Sequence, residues 1–261
     1  MATTKWGIIG PGAIAHNFAD GLGESTSGEL IAIASRSADR RKSFGDDYGI
    51  AADKRYDDYE KIVQDDEIDA IYIATPHPWH AELSIMAMRA GKAVLCEKPA
   101  GMSAAQVIAI TEVAAQEDVF FMEAYMYRCH PQIARVIEII KGGEIGEVVH
   151  IKTQFGFNAP FNASSRLYDF DLGGGGILEW GGYPGSLSRL FAGVAVGADF
   201  ANPIEVKGSG LLAETGVDKV AHGLLQFDSG IIAEIAVAVN RDLDNSAVIQ
   251  GTKGQIKIND P

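Results

Sequence analysis

The chain has 261 residues, 47% hydrophobic and 22% charged, enough to bury one large core or two ordinary ones. Its net charge of -13 argues against nucleic acid or an anionic membrane as partner, since both demand basic surface. No run of about 18 apolar residues occurs, the start Met-Ala-Thr-Thr-Lys carries no secretory stretch, and neither Cys96 and Cys129 nor the six histidines show metal-ligand spacing. A cytoplasmic protein without a catalytic metal is expected.

In chain order, Trp6, Ile8 and Ile9 form an apolar run that stops at Gly10, and helix-favouring residues begin at Ala13. This strand, turn and helix contain G-x-G-x-x-A at Gly10, Gly12 and Ala15. Gly10 permits the sharp turn, Gly12 lets backbone approach a pyrophosphate, and Ala15 lets the helix pack closely on the strand. The amides from Gly12 through Ala13 and Ile14 would receive the anion at the positive end of the helix dipole.

A second strand, Glu29 to Ser35, ends in Ser35-Arg36-Ser37 rather than in an acid. An acid there would bond the ribose hydroxyls of NAD, whereas a hydroxyl followed by arginine suits the 2'-phosphate of NADP. Arg36, Arg40, Arg41 and Lys42 form a basic cluster, either for that phosphate or as a solvated helix face. NADP is expected ahead of NAD.

Lys54 to Tyr56 reads as a short third strand and Asp69 to Ala74 as a buried parallel one. It stops at Thr75-Pro76, so Thr75, His77 and His80 lie at a strand's carboxyl end, where open parallel sheets put their ligands. Alternatively, His77-Pro78-Trp79-His80 is a proline-bounded turn into the helix Ala81 to Ala90. Ala93 to Cys96, a fifth strand, delivers Glu97-Lys98-Pro99, where a lysine held between a strand end and a proline is placed for chemistry or is an ordinary surface lysine. A helix, Ser103 to Glu117, and a strand, Val119 to Met122, complete six strands in the doubly wound order 3-2-1-4-5-6.

From Glu123 the pattern changes. After the aromatic Tyr125 to Pro131 segment and a helix from Pro131 to Lys141, strand-like stretches follow at 147–157, 203–213, 218–227, 230–239 and 246–258. They predict an α+β second domain with a mostly antiparallel open sheet, giving domains 1–123 and 124–261. Inside it, four glycines from Gly173 to Gly176 precede a helix that puts Glu179 and Tyr183 on one face, as a site or as a surface pair beside a flexible loop.

With these pieces assembled the chain resembles the glucose-fructose oxidoreductase/inositol dehydrogenase (Gfo/Idh/MocA) family of NAD(P)-dependent oxidoreductases. The matching points are Gly10 to Ala15, Glu97-Lys98-Pro99, Glu123 to Pro131 and the glycine-rich stretch ending in Tyr183. Ala90 to Pro99 and Met122-Glu123-Ala124 look most like the branch of dimeric dihydrodiol dehydrogenase and NADP-dependent D-xylose dehydrogenase. The resemblance implies a Rossmann domain followed by an α+β domain for substrate binding and oligomerisation. It places Lys98 beside the nicotinamide, with Glu97 also on the cofactor side, and makes Tyr183 the usual proton-transfer residue. Glu179 stands where the family usually has aspartate, moving that carboxylate of the catalytic group by a methylene. Arg128, His130 and Arg166 are candidates for contacts with substrate hydroxyls. The branch normally continues beyond the position matched by Pro261, so either the second domain is truncated at its C-terminus or further residues follow.

The activity implied is hydride transfer between NADP and a carbinol or carbonyl carbon of a sugar or cyclic trans-diol, in a homodimer or larger symmetric oligomer. Either Tyr183 or Lys98 carries the substrate proton. Two other readings stand beside it: a non-catalytic nucleotide-binding regulator of the same fold, and a reductase of another carbonyl, such as a lactone, an anhydro-ketose or a tetrapyrrole bridge.

Overall fold

The alternation of apolar strand residues with helix-forming stretches builds two units, residues 1–124 and 125–261, in a computed structural model that describes residues 3–259 and 261. In the first unit, strands β1 (Thr4–Ile9), β2 (Gly28–Ala34), β3 (Arg55–Tyr56), β4 (Ala70–Ile73), β5 (Ala93–Cys96) and β6 (Phe121–Glu123) pair in parallel, in the order 3-2-1-4-5-6. Helices α1 (Ala13–Gly23), α2 (Ala38–Asp47), α3 (Tyr59–Val63), α4 (His80–Arg89) and α5 (Ala104–Glu117) connect them.

Neighbouring residues on each strand serve different cores, because successive side chains point to opposite faces. Ile8, Ile33 and Tyr72 join Ala15, Ala19 and Phe44 from α1 and α2. Ile9, Ala32, Ala34, Ile71 and Ile73 join residues of α3, α4 and α5. Both faces are thus covered, which is why these strands read as unbroken apolar runs.

The second unit contains α6 (Pro131–Lys141), β7 (Val148–Gly156), α7 (Gly182–Ala195), β8 (Pro203–Leu212), β9 (Asp218–Phe227), β10 (Ile232–Ala238), β11 (Ser246–Gly251) and β12 (Gln255–Asn259). Their sheet runs β12-β11-β7-β10-β9-β8, antiparallel at every pairing except the parallel one between β7 and β10. The stretch 246–258, expected as one strand, is a hairpin, because the chain turns back between Gly251 and Gly254 with Gly251 N–H donating to the Gly254 carbonyl. Ile133, Val136 and Ile140 of α6 and Leu187, Leu190 and Phe191 of α7 pack on Ile151, Leu225, Ala233, Ala247 and Ile249. Every residue of β8 after its first is exposed, and Val206, Leu211, Leu212, Leu224 and Ile232 add apolar surface to the sheet. No helix among the described residues is long and apolar enough to cross a membrane.

Candidate functional site

The turn after β1 is forced by its surroundings. Gly10 has φ +94°, and a Cβ there would lie 3.0 Å from the backbone carbonyl carbon and oxygen of Ala74, so glycine is required on both counts. Ala15 is fully buried in the α1 core, and Gly12 starts α1 without a side-chain cap. The amides of Ala13 and Ile14, at the start of the first turn, have no intrahelical acceptor, whereas Ala15 N–H already donates to the Gly12 carbonyl. Thr75 Oγ1 is buried without a hydrogen-bond partner beside Gly10, its methyl 3.0 Å from that same Cβ position. A tight backbone cradle, a helix N-terminus and an orphaned hydroxyl together fit a dinucleotide pyrophosphate.

The end of β2 sorts its basic residues. Ser35 is buried and its hydroxyl accepts from Ser37 N–H, while the Ser37 hydroxyl caps α2 by accepting from Arg40 N–H. Arg41 donates to the Ser35 carbonyl, and Lys42 pairs with Asp46 at 2.5 Å. Those two are spent on the local fold. Arg36 and Arg40 have no carboxylate partner among the described residues, and the Arg36 guanidinium lies over the rings of Tyr59 and Trp79 at 5.8 and 5.6 Å. The cluster of four therefore reduces to two guanidinium groups suited to an anion.

The loop that carries Lys98 is held from several sides. Tyr72 donates its hydroxyl proton to Glu97 Oε1 at 2.5 Å, and Lys98 N–H donates to Glu97 Oε2 at 3.3 Å. Ala100 N–H donates to Glu123 Oε1 at 2.8 Å. His80 Nδ1 lies 2.7 Å from the Pro99 carbonyl oxygen, and Nε2 lies 2.6 Å from that of Thr75. Burial pushes the His80 pKa below the ordinary histidine value, against the pull of these two carbonyls. His80, with a fully buried ring, and Glu97, with an engaged carboxylate, tie the β4 end to the Lys98 loop. His77 is also buried, its ring 5.7 Å from that of His80.

In the second unit the glycine run is a packed corner. A Cβ on Gly174 would lie 2.6 Å from the Leu167 carbonyl oxygen, and one on Gly175, at φ +102°, 2.5 Å from Asp218 Oδ1. Asp218 Oδ2 in turn accepts from Ile177 N–H at 2.9 Å. Burial raises the pKa of Asp218, and the amides of Ile177 and Gly176 pull it back. Ile177–Gly181 is a π-helical turn that runs into α7, a local distortion often found at functional sites.

Glu179, on that turn, is 5% exposed and accepts from Arg166 Nη1 at 2.6 Å. These two predicted site residues meet each other: Arg166, expected on substrate hydroxyls, is the partner of the buried carboxylate. Tyr183 follows in the first turn of α7, its ring stacked on Phe155 at 5.2 Å and met edge-on by Tyr125 at 5.5 Å. Gly182 is needed here, because its Cβ would fall 2.0 Å from the Tyr125 hydroxyl. Arg128 lies over the Phe200 ring at 4.6 Å, and His130 caps α6 by accepting from Gln132 N–H.

Tyr72, Glu123, Phe155 and Asp218 received no role from sequence. A phenol inside the buried run Asp69 to Ala74 was the available signal for Tyr72, since a buried hydroxyl needs a partner. Asp218 depends on proximity to a glycine run far away in the chain, which has no local signature.

Residues 4–125 match the GFO/IDH/MocA oxidoreductase family, NAD-binding Rossmann fold, and residues 133–257 match the GFO/IDH/MocA C-terminal domain. The chain is 34% identical over 256 residues to trans-1,2-dihydrobenzene-1,2-diol dehydrogenase of Mus musculus, covering 97% of this chain and 74% of that protein. It is 32% identical over 254 residues to D-xylose 1-dehydrogenase (NADP(+)) 2 of Haloferax volcanii, covering 97% and 75%. Its fold is similar to that of a 3-ketoreductase from Actinomadura kijaniata in complex with NADP and TDP-benzene, with TM-score 0.85, 28% identity and coverage of 98% and 76%. The two-sheet architecture, the glycine turn and these matches agree, and the chain belongs to the Gfo/Idh/MocA family of oxidoreductases.

Proposed function

We propose that this protein is an NADP-dependent dehydrogenase or reductase that moves a hydride between NADP and a carbinol or carbonyl carbon of a sugar or cyclic trans-diol. The observation that carries the cofactor choice is the pair Arg36 and Arg40, without a carboxylate partner among the described residues, at the end of a strand that closes in serine. The names of the mouse and Haloferax relatives support the substrate class, and the Actinomadura complex supports NADP.

When bound, the nicotinamide supplies hydride acceptance and donation. The chain's residues do the rest. Gly10, Gly12, Ala13 and Ile14 would hold the pyrophosphate, and Thr75, with its orphaned hydroxyl, would donate to the cofactor. Lys98 is assigned to the substrate hydroxyl and Tyr183 to its proton. The Tyr183 phenolate would take that proton during oxidation and the phenol would return it during reduction. Glu179, oriented by Arg166, would bond a further hydroxyl of the substrate.

The exposed β8 and the apolar residues Leu224 and Ile232 support a homodimer or larger symmetric oligomer built on the open sheet. Incubating the purified protein with NADP and a panel of aldoses and trans-diols, and following NADPH formation, tests the activity. Turnover on a member of the panel is expected. Binding of NADP without turnover of any sugar, diol or carbonyl compound would favour the regulator instead.

A further inference from the structure

We propose that Tyr59 and Trp79 form an aromatic clamp that positions Arg36, and that this clamp sets much of the preference for a 2'-phosphate over a free ribose hydroxyl. The inference rests on the NADP reading above and assigns specificity to two residues that do not themselves carry charge.

The backbone on either side of Arg36 is fixed. Ser35 is buried and receives the Ser37 amide on its hydroxyl, and Ser37 is the cap of α2. The arginine side chain is exposed, and it has no carboxylate to lean on among the described residues. A long side chain in that state loses much of its rotamer freedom when an anion immobilises it. What limits its freedom here is aromatic. Tyr59 opens α3, where Asp58 caps the helix by accepting from Glu60 N–H. Trp79 closes the proline-bounded 3-10 turn His77–Trp79, its amide donating to the Pro76 carbonyl. Both rings are partly buried against the core beneath them. The guanidinium carbon lies 5.8 Å from one ring centre and 5.6 Å from the other, inside the range where the ring quadrupole attracts a cation.

Two walls of this kind keep the planar fork near the end of β2 before any ligand arrives. Arginine can stack on ring faces and still present N–H groups in its plane to a phosphate, which a lysine ammonium cannot do in the same way. The clamp thereby shifts part of the ordering cost from binding to folding, the ordinary origin of gains from preorganisation. The gain applies only to a ligand that engages Arg36, so it raises NADP affinity and leaves NAD nearly untouched.

The test is equilibrium titration of NADP and NAD against the wild type, Trp79→Leu, Trp79→Phe, Tyr59→Leu, Arg36→Ala and the double variant Arg36→Ala/Trp79→Leu, with thermal unfolding to confirm the fold of each. Trp79→Leu and Tyr59→Leu should each weaken NADP binding by roughly three- to tenfold and NAD binding by less than about twofold. Trp79→Phe should retain most of the wild-type ratio, because it keeps a ring. In the Arg36→Ala background the Trp79→Leu change should no longer alter NADP affinity. Equal weakening of both cofactors by Trp79→Leu and Tyr59→Leu, or an undiminished effect of Trp79→Leu without Arg36, overturns the clamp. A wild type that binds NADP and NAD alike, or an Arg36→Ala variant that weakens both alike, overturns the NADP reading and the clamp with it. A wild-type preference abolished by Arg36→Ala but unmoved by the aromatic variants overturns the clamp alone.

Discussion

The phenol of Tyr183 is carried on a ring seated between Phe155 and Tyr125, and a phenylalanine keeps both ring contacts. Tyr183→Phe is expected to lower kcat by about a hundredfold or more and to leave NADP affinity nearly unchanged, as steady-state kinetics and cofactor titration would show. Wild-type turnover in that variant removes Tyr183 from the proton path. Lys98→Met should do at least as much harm, and the two losses should combine to less than their sum, since groups acting together are not independent. For Glu179 the structure adds what the chain alone did not show. Its longer side chain reaches Arg166 at 2.6 Å, so its departure from the usual aspartate accompanies a specific ion pair. Arg166→Ala leaves the buried carboxylate without that cation. Arg166 is itself more than a third exposed, so the loss of stability in chemical denaturation should be modest, about 1 to 2 kcal/mol.

Elements show most plainly what the sequence reveals and what it hides. The parallel strands were legible because all but the short β3 are apolar runs ending in glycine, proline or polar residues, and their order followed from the alternation with helices. The division of 246–258 into two strands rests on Gly251 and Gly254, which mark a turn inside what otherwise reads as one continuous stretch. The glycines from 173 to 176 drew attention as a flexible loop. They are instead a corner whose missing Cβ atoms make room for Leu167, Arg166 and Asp218, and those neighbours come from the tertiary fold. Asp218→Ala removes the acceptor for Ile177 N–H. It should destabilise the unit by about 1 to 3 kcal/mol and speed hydrogen exchange along Ile177–Gly181. At the end of β6, burial raises the pKa of Glu123, with Glu97 adding to the rise and Ala100 N–H opposing it. A raised carboxyl pKa means that its contribution to stability is full below the unfolded value of about 4.3 and is lost as pH rises through the folded value. Glu123→Gln keeps an acceptor for Ala100 and never ionises. Its stability relative to wild type should therefore increase between about pH 4 and pH 7, and a pH-independent difference would show that Glu123 is not the titrating group.

On the scale of the whole molecule, the open sheet of the second unit leaves Leu224, Ile232 and most of β8 exposed. Sedimentation at micromolar concentration is expected to show a dimer or larger symmetric oligomer, and Leu224→Lys should shift it toward the monomer by placing a charge on the contact face. A wild-type monomer under those conditions counts against the assembly. The acidic balance of the chain and its local basic cluster at Arg36 and Arg40 were both legible early, because each is a matter of composition. Which of the four basic residues are engaged was legible only in part: Lys42 and Asp46 stand at i,i+4 spacing on one helix, whereas the Ser35 carbonyl that receives Arg41 is brought near by the turn from β2 into α2.

The parallel pairing of β7 with β10 at the centre of the second sheet bears on how the site comes into being. The chain between those strands, 157–231, carries Arg166, Glu179 and Tyr183 together with β8 and β9. Joining the two central strands requires closing that whole stretch, a loop entropy that must be met before the ladder rewards it. In pulse-labelled refolding, amides of β7 and β10 should gain protection together with those of Ile177–Gly181 and after those of the locally formed α6. Chemistry-bearing residues on a crossover of high contact order assemble late, so partly folded chains hold an intact α6 while the tyrosine that would handle the proton is still out of place.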